Sequence, residues 1–136
     1  MSNADWNNIT VIVPMNSQRH AGTCYFGSIY TGTESETPYG KGYSISYFPV
    51  GQNTEHLSQL VLHEAGGHGF GKLLDEYYYS GTIPPSAVSQ NMQNRTNYGW
   101  GWNVDYTSDP SAVVWAKFLT DNRFDNQGLG VYEGAD

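Results

Sequence analysis

An α+β fold is predicted by three observations: β-type runs confined to the first fifty residues, a helix-compatible segment opening at residue 53 or 54, and another opening near residue 108. Ile9 to Val13 is β-branched at every position and closed by Pro14, which reads as a buried strand. Asn16 to Thr23 is a polar loop. Cys24–Tyr30 and Gly42–Phe48 are further strands. The second alternates Tyr43, Ile45 and Tyr47 with Ser44 and Ser46, the pattern of a half-buried strand. Between them TGTESETPYGKG is rich in turn residues.

Asn53 or Thr54 caps a helix that runs through Leu57, Leu60 and Val61 into His63, with Glu55 favourably placed in its first turn. Gly69 and Gly71 end it, since glycine accepts the left-handed conformation that reverses a chain. Residues 77–108, with Pro84-Pro85 and Gly99-Trp100-Gly101-Trp102, read as a long irregular stretch packed by its own rings. Ser108 or Asp109 caps a last helix with Pro110 at its first position and Val113, Val114, Trp115, Phe118 and Leu119 as its apolar face. The tail is polar, with a short strand at Val131 and Tyr132. No repeat or low-complexity tract is present.

At 136 residues without a long linker, the chain (1–136) is a single domain large enough for a real core. Charged residues make up only 14% of it, against roughly 25% for an average soluble domain, so its polarity comes from Ser, Thr, Asn, Gln and Gly. A net charge of −7 with six Lys and Arg in all argues against nucleic acid or an anionic membrane as partner. Cys24 is the single cysteine, which excludes an internal disulfide, and nothing around it marks a nucleophile; it reads as a small packing residue. No run is long and apolar enough to span a membrane, and the first 15 residues lack the make-up of a signal peptide. Ser2-Asn3-Ala4 reads as a tag remnant (1–4), behind which a native signal would have been removed.

The chemistry gathers in VLHEAGGHGFGKLLDEY, residues 61–77, which holds two histidines, a glutamate, four glycines and an acidic pair. A zinc hydrolase needs two neutral imidazoles facing one ion, a carboxylate to take a proton from water, and one more ligand. His63, Glu64, His68 and Asp75 supply those roles, with Glu76 competing for the last. The histidines are five apart rather than four. On a regular helix that separates them by about 140°, too far for one ion. A single i→i+5 turn brings His68 back to the face of His63, and Ala65-Gly66-Gly67 suits it, because two glycines cost about 1 kcal/mol each in an ordinary helix.

The run HEAGGHGFGKLLDEY resembles the bacterial immunoglobulin-A-peptidase-type family of zinc metallopeptidases, in which His-Glu-x-x-His is followed by a glycine-containing turn and Asp-Glu-Tyr. WNVDYTSDPSAVVWAKFL and GVYEGA are similar to that family too, so the likeness runs from about residue 57 to the end. It implies a zincin-like fold, with a mixed β-sheet packed on an active-site helix and a loop-rich C-terminal part. It also implies a Zn2+ cofactor, hydrolysis of a protein or peptide substrate (immunoglobulin among those suggested), and a secreted or cell-surface location. In zincins an edge strand above the metal pairs with extended substrate, and 42–48 is a candidate for it, an ordinary sheet strand being the alternative. The family continues past GVYEGAD, so the chain is expected to be a piece of a longer protein.

Plainer readings stand beside these. His63, Glu64 and His68 could be a helix end with incidental histidines, and Asp75 and Glu76 a solvated acidic pair. Tyr77 to Tyr79 read as packing, although Tyr77 could hydrogen-bond a transition-state oxyanion. His20 and His56 read as surface histidines, His56 lying too far along the axis to share an ion with His63. Asn8-Ile9-Thr10 and Asn94-Arg95-Thr96 match the glycosylation triplet, which arises often by chance. At the level of function the alternatives are a catalytic endopeptidase with Glu64 as general base, a zincin-like domain that binds metal or a protein partner without turnover, and a globular fragment whose histidines only pack.

Overall fold

A computed structural model describes residues 9–18, 21–28, 41–51, 53–77 and 83–134. Three strands, β1 (Thr10–Met15), β2 (Thr23–Gly27) and β3 (Tyr43–Pro49), form a mixed sheet in the order β1-β3-β2. β1 runs parallel to β3 with Val11 opposite Ile45, and β2 runs antiparallel with Cys24 opposite Ser46. The architecture is a small α+β domain, as the sequence predicts. His20, Ile29 and Tyr30 of the predicted second strand, and residues 31–40 of the predicted loop lie outside the described residues, as do Asn8, Tyr78 and Tyr79.

Several strand expectations change. Ile9–Val13 was expected to be buried, yet β1 is an edge strand, with Val11 40% and Ile12 50% exposed. Pro14 lies within it rather than closing it, and an edge tolerates proline because one side of the strand carries no ladder bond. The 42–48 segment is central rather than an edge, flanked on both sides. The alternation resolves into two faces: Ser44 and Ser46 are fully buried, and Tyr43, Ile45 and Tyr47 are the half-buried set. The cause is a close backbone approach. A Cβ on Gly69 would come within 3.1 Å of Ser46 Oγ and 3.3 Å of Ser44 Oγ, so only small side chains fit beneath that helix.

α1 (Thr54–Leu60) is capped by Asn53, whose Oδ1 accepts from the His56 N–H at 2.9 Å. It continues without a break into a π-helix, Val61–Phe70. One wide turn was expected at 65–67; the wide spacing instead extends over ten residues. Its buried side, Glu64, Ala65 and Gly69, lies on the sheet, and Ser46 Oγ donates to the Glu64 carbonyl at 2.9 Å. Gly71 is not the left-handed residue: its φ is −74°, and the reversal falls on Lys72 at φ 52°. Gly71 is small for another reason, since a Cβ there would lie 2.9 Å from the Gly67 carbonyl.

The 77–108 stretch is not irregular throughout. α2 (Pro85–Tyr98) occupies fourteen residues of it, opening with proline at its first position and closing on Gly99 at φ 70°. Arg95, buried on α2, donates to the carbonyls of Gly101 and Val104 and lies 3.6 Å from Asp105, which ties the helix to the 99–105 segment. The last predicted helix shortens to turns after Asp109, which accepts from the Ser111 N–H at 2.8 Å, followed by α3 (Ala116–Leu119). Val131 and Tyr132 form no strand; Tyr132 is 75% exposed. Among the described residues the buried apolar side chains are Phe48, Pro49, Ala65, Trp100 and Val113. No helix among them is long and apolar enough to cross a membrane.

Candidate metal centre

Where backbone bonds close five residues back, five residues make about one turn, so His63 and His68 leave the π-helix on the same side. Their Nε2 atoms are 3.1 Å apart. Asp75 Oδ1 completes a triangle, 3.3 Å from His63 Nε2 and 3.1 Å from His68 Nε2. These three are a group of potential metal ligands in mutual reach.

Two features of the donor set are compatible with a metal ion such as zinc. With ligand arms of 2.0–2.1 Å, the edges of a tetrahedron are about 3.3 Å long, close to the sides of this triangle. The second feature is orientation. His68 Nδ1 lies 2.7 Å from the Leu73 carbonyl, which can only accept, and the neutral tautomer that donates there has Nε2 free to ligate.

The third donor arrives on a short strap. After the reversal at Lys72, Leu74 is held at both backbone groups by one side chain: its N–H donates to Asn103 Oδ1 at 3.0 Å, and its carbonyl accepts from Asn103 Nδ2 at 2.8 Å. Asn103 Nδ2 also donates to Glu76 Oε1 at 3.0 Å, so Glu76 is turned toward Asn103 while Asp75 faces the imidazoles. Sequence reasoning did not single out Asn103. The faint signal is an asparagine directly after the Gly-Trp-Gly-Trp run, and only the fold puts it opposite Leu74.

Glu64 is 5% exposed and borders the same cavity, of about 210 Å³, as His63, His68 and Asp75. Burial pushes its carboxyl above the ordinary glutamate range; the two imidazoles oppose that shift, and Asp75 adds to it. Gly22 makes room for it: a Cβ there would lie 2.5 Å from Glu64 Cγ and 2.7 Å from its Cδ. Tyr77 and Cys24 also border the cavity. Burial pushes the Cys24 thiol up, away from the thiolate a nucleophile requires, in keeping with a packing role. Beneath the site Lys72 is 2% exposed, donates from Nζ to the Gly69 carbonyl, and has its ammonium pKa lowered by burial. His56 is half-buried rather than on the open surface, and Asn94 sits half-buried on α2.

No family model and no solved structure matches the chain. It is similar to the "Intracellular exo-alpha-L-arabinofuranosidase" of Bacteroides ovatus, 30% identical over 89 residues that cover 65% of this chain. The chain spans 15% of that relative's length.

Proposed function

We propose that the chain is a zincin-like, zinc-dependent endopeptidase domain, with His63, His68 and Asp75 as metal ligands and Glu64 as general base. One observation carries the reading: a triangle of two imidazole nitrogens and a carboxylate oxygen with sides of 3.1 to 3.3 Å, beside a buried glutamate. The family resemblance adds the substrate class, peptide bonds of extracellular proteins such as immunoglobulin, and a secreted or cell-surface setting.

Zinc held by His63, His68 and Asp75 would supply Lewis acidity to water and to an amide carbonyl. The chain's own groups do the rest. Leu73 holds His68 in the tautomer that presents Nε2, and Asn103 holds the strap that carries Asp75. Glu64, buried at the wall of the same cavity, is placed to take a proton from water and deliver it to the leaving amine nitrogen. β2 borders the cavity through Thr23, Cys24 and Phe26, and among the described residues it pairs with β3 alone, so an extended peptide can add along its other edge.

The arabinofuranosidase likeness favours a second reading, glycoside hydrolysis by two carboxylates, for which Glu64 and Asp75 are the acids in the cavity. Assays separate the readings. Protein dialysed without chelator is expected to keep close to one zinc per chain and to cleave peptides, not arabinosides. His63→Ala is expected to lose the zinc, and Glu64→Gln to keep it while losing turnover. Stoichiometric zinc in both His63→Ala and His68→Ala overturns the metal assignment, and zinc without turnover of any peptide leaves a binding domain.

A further inference from the structure

A second cavity, of about 260 Å³, adjoins the first and shares the side chains of Phe26 and Leu74 with it. Among the described residues, Trp100 and two asparagines of α2, Asn91 and Asn94, share its lining. We infer that this cavity is the side-chain subsite for a substrate residue beside the scissile bond, and that it selects a planar side chain with a neutral polar tip, tyrosine above all. The inference rests on the peptidase reading for the word substrate; the cavity's chemistry does not depend on it.

The position follows from β2. Cys24 and Phe26 lie on the same face of that strand, two residues apart, and same-face neighbours are about 6.6 Å apart along a strand. Cys24 borders only the metal-side cavity, and Phe26 borders both. A peptide lying along the β2 edge that no described residue pairs with, its carbonyl at the triangle, therefore presents a neighbouring side chain to the second cavity.

The chemistry follows from the lining. Trp100 is held rigidly: it stacks on Tyr98 at 4.5 Å, meets Phe26 edge-on at 4.9 Å, and donates its indole N–H to the Lys41 carbonyl. With Phe26 and Leu74 it offers flat apolar walls of the kind that accept an aromatic ring. Across from them the asparagine groups are partly committed. Asn91 Nδ2 donates to the Tyr106 hydroxyl at 2.5 Å, leaving its Oδ1 as an acceptor. Asn94 Oδ1 accepts from Gln90 at 3.1 Å, leaving its Nδ2 as a donor. A phenol hydroxyl can donate to the first and accept from the second. Among the described residues this lining carries no charged group, so a Lys or Glu side chain would be desolvated there without a partner.

Two measurements test this. The zinc-loaded chain is assayed on peptides that differ at one position beside the cleaved bond, and N-acetyltyrosine amide is titrated into the chelated protein while the side-chain amide signals of Asn91 and Asn94 are followed by NMR. The expected results are a preference of at least tenfold for tyrosine over alanine or lysine, saturable shifts of both amide signals, and loss of the preference in Asn94→Phe, which fills the cavity from α2. Equal cleavage of the tyrosine and alanine peptides, or amide signals unmoved by N-acetyltyrosine amide, overturns the inference and leaves the peptidase reading standing. Saturable shifts with no cleavage of any peptide overturn the peptidase reading and leave an aromatic-binding cavity.

Discussion

Gly22→Ala puts the role of Glu64 under direct test. A methyl at position 22 would stand 2.5 Å from Glu64 Cγ and 2.7 Å from Cδ, where two carbons in contact normally sit near 3.5–4.0 Å. One of them must move by about 1 Å. The glutamate moves more easily, because Cγ and Cδ belong to a side chain whereas position 22 is fixed by the start of β2. A general base displaced by about 1 Å from its working position costs roughly 100-fold in rate. None of the three metal ligands is among the atoms nearest to Gly22, so zinc stoichiometry is expected to stay near that of the wild type. The assay compares kcat/KM on one peptide with zinc per chain and melting temperature for both proteins. A Gly22→Ala variant with unimpaired kcat/KM would refute the placement of Glu64 as base. A variant that loses rate and zinc together would show that the methyl acts through the ligands instead.

Asn103→Asp keeps an acceptor for the Leu74 N–H but sets an oxygen against the Leu74 carbonyl, so zinc affinity measured by chelator competition is expected to fall 10- to 100-fold. Gly69→Ala forces a Cβ to within 3.1 Å of Ser46 Oγ and 3.2 Å of the Glu64 carbonyl, and urea unfolding is expected to report a loss of about 1–3 kcal/mol. Burial lowers the Lys72 pKa, so between its folded value and the ordinary lysine value of about 10.4 the unfolded chain binds more protons than the folded one, and stability rises with pH across that window. Unfolding midpoints of the wild type minus those of Lys72→Met are expected to increase toward alkaline pH; a flat difference would remove Lys72 as the cause.

The metal motif was legible because it is local. Two histidines around Glu64, two adjacent glycines, and an acidic pair seven residues on are all visible within residues 61–77, and the five-residue spacing itself pointed to a wide turn. That the wide spacing would run on to Phe70 was not legible, since it accompanies contact with the sheet: Gly69 lies on Ser44 and Ser46, and Ser46 holds the Glu64 carbonyl. The same contact decided the faces of β3, where alternation marked two faces without saying that serines would take the buried one. α2 carried both end signals, Pro85 and Gly99, but its residues are mostly polar and form no apolar stripe, so periodicity was silent. β1 misled for the opposite reason: β-branched composition marks a strand, and burial depends on neighbours the sequence does not name.

The three donors reach the centre by unequal routes. His63 and His68 ride on one helical segment and move together, while Asp75 hangs on a strap secured through Asn103 and the Leu73 carbonyl. Opening the strap withdraws the carboxylate and, by freeing His68 Nδ1 from Leu73, removes the restraint on the second imidazole in the same motion. Exchange of an ion with solvent would then be timed by local unfolding of residues 73–76, and hydrogen exchange at the Leu74 amide and metal release would share one rate.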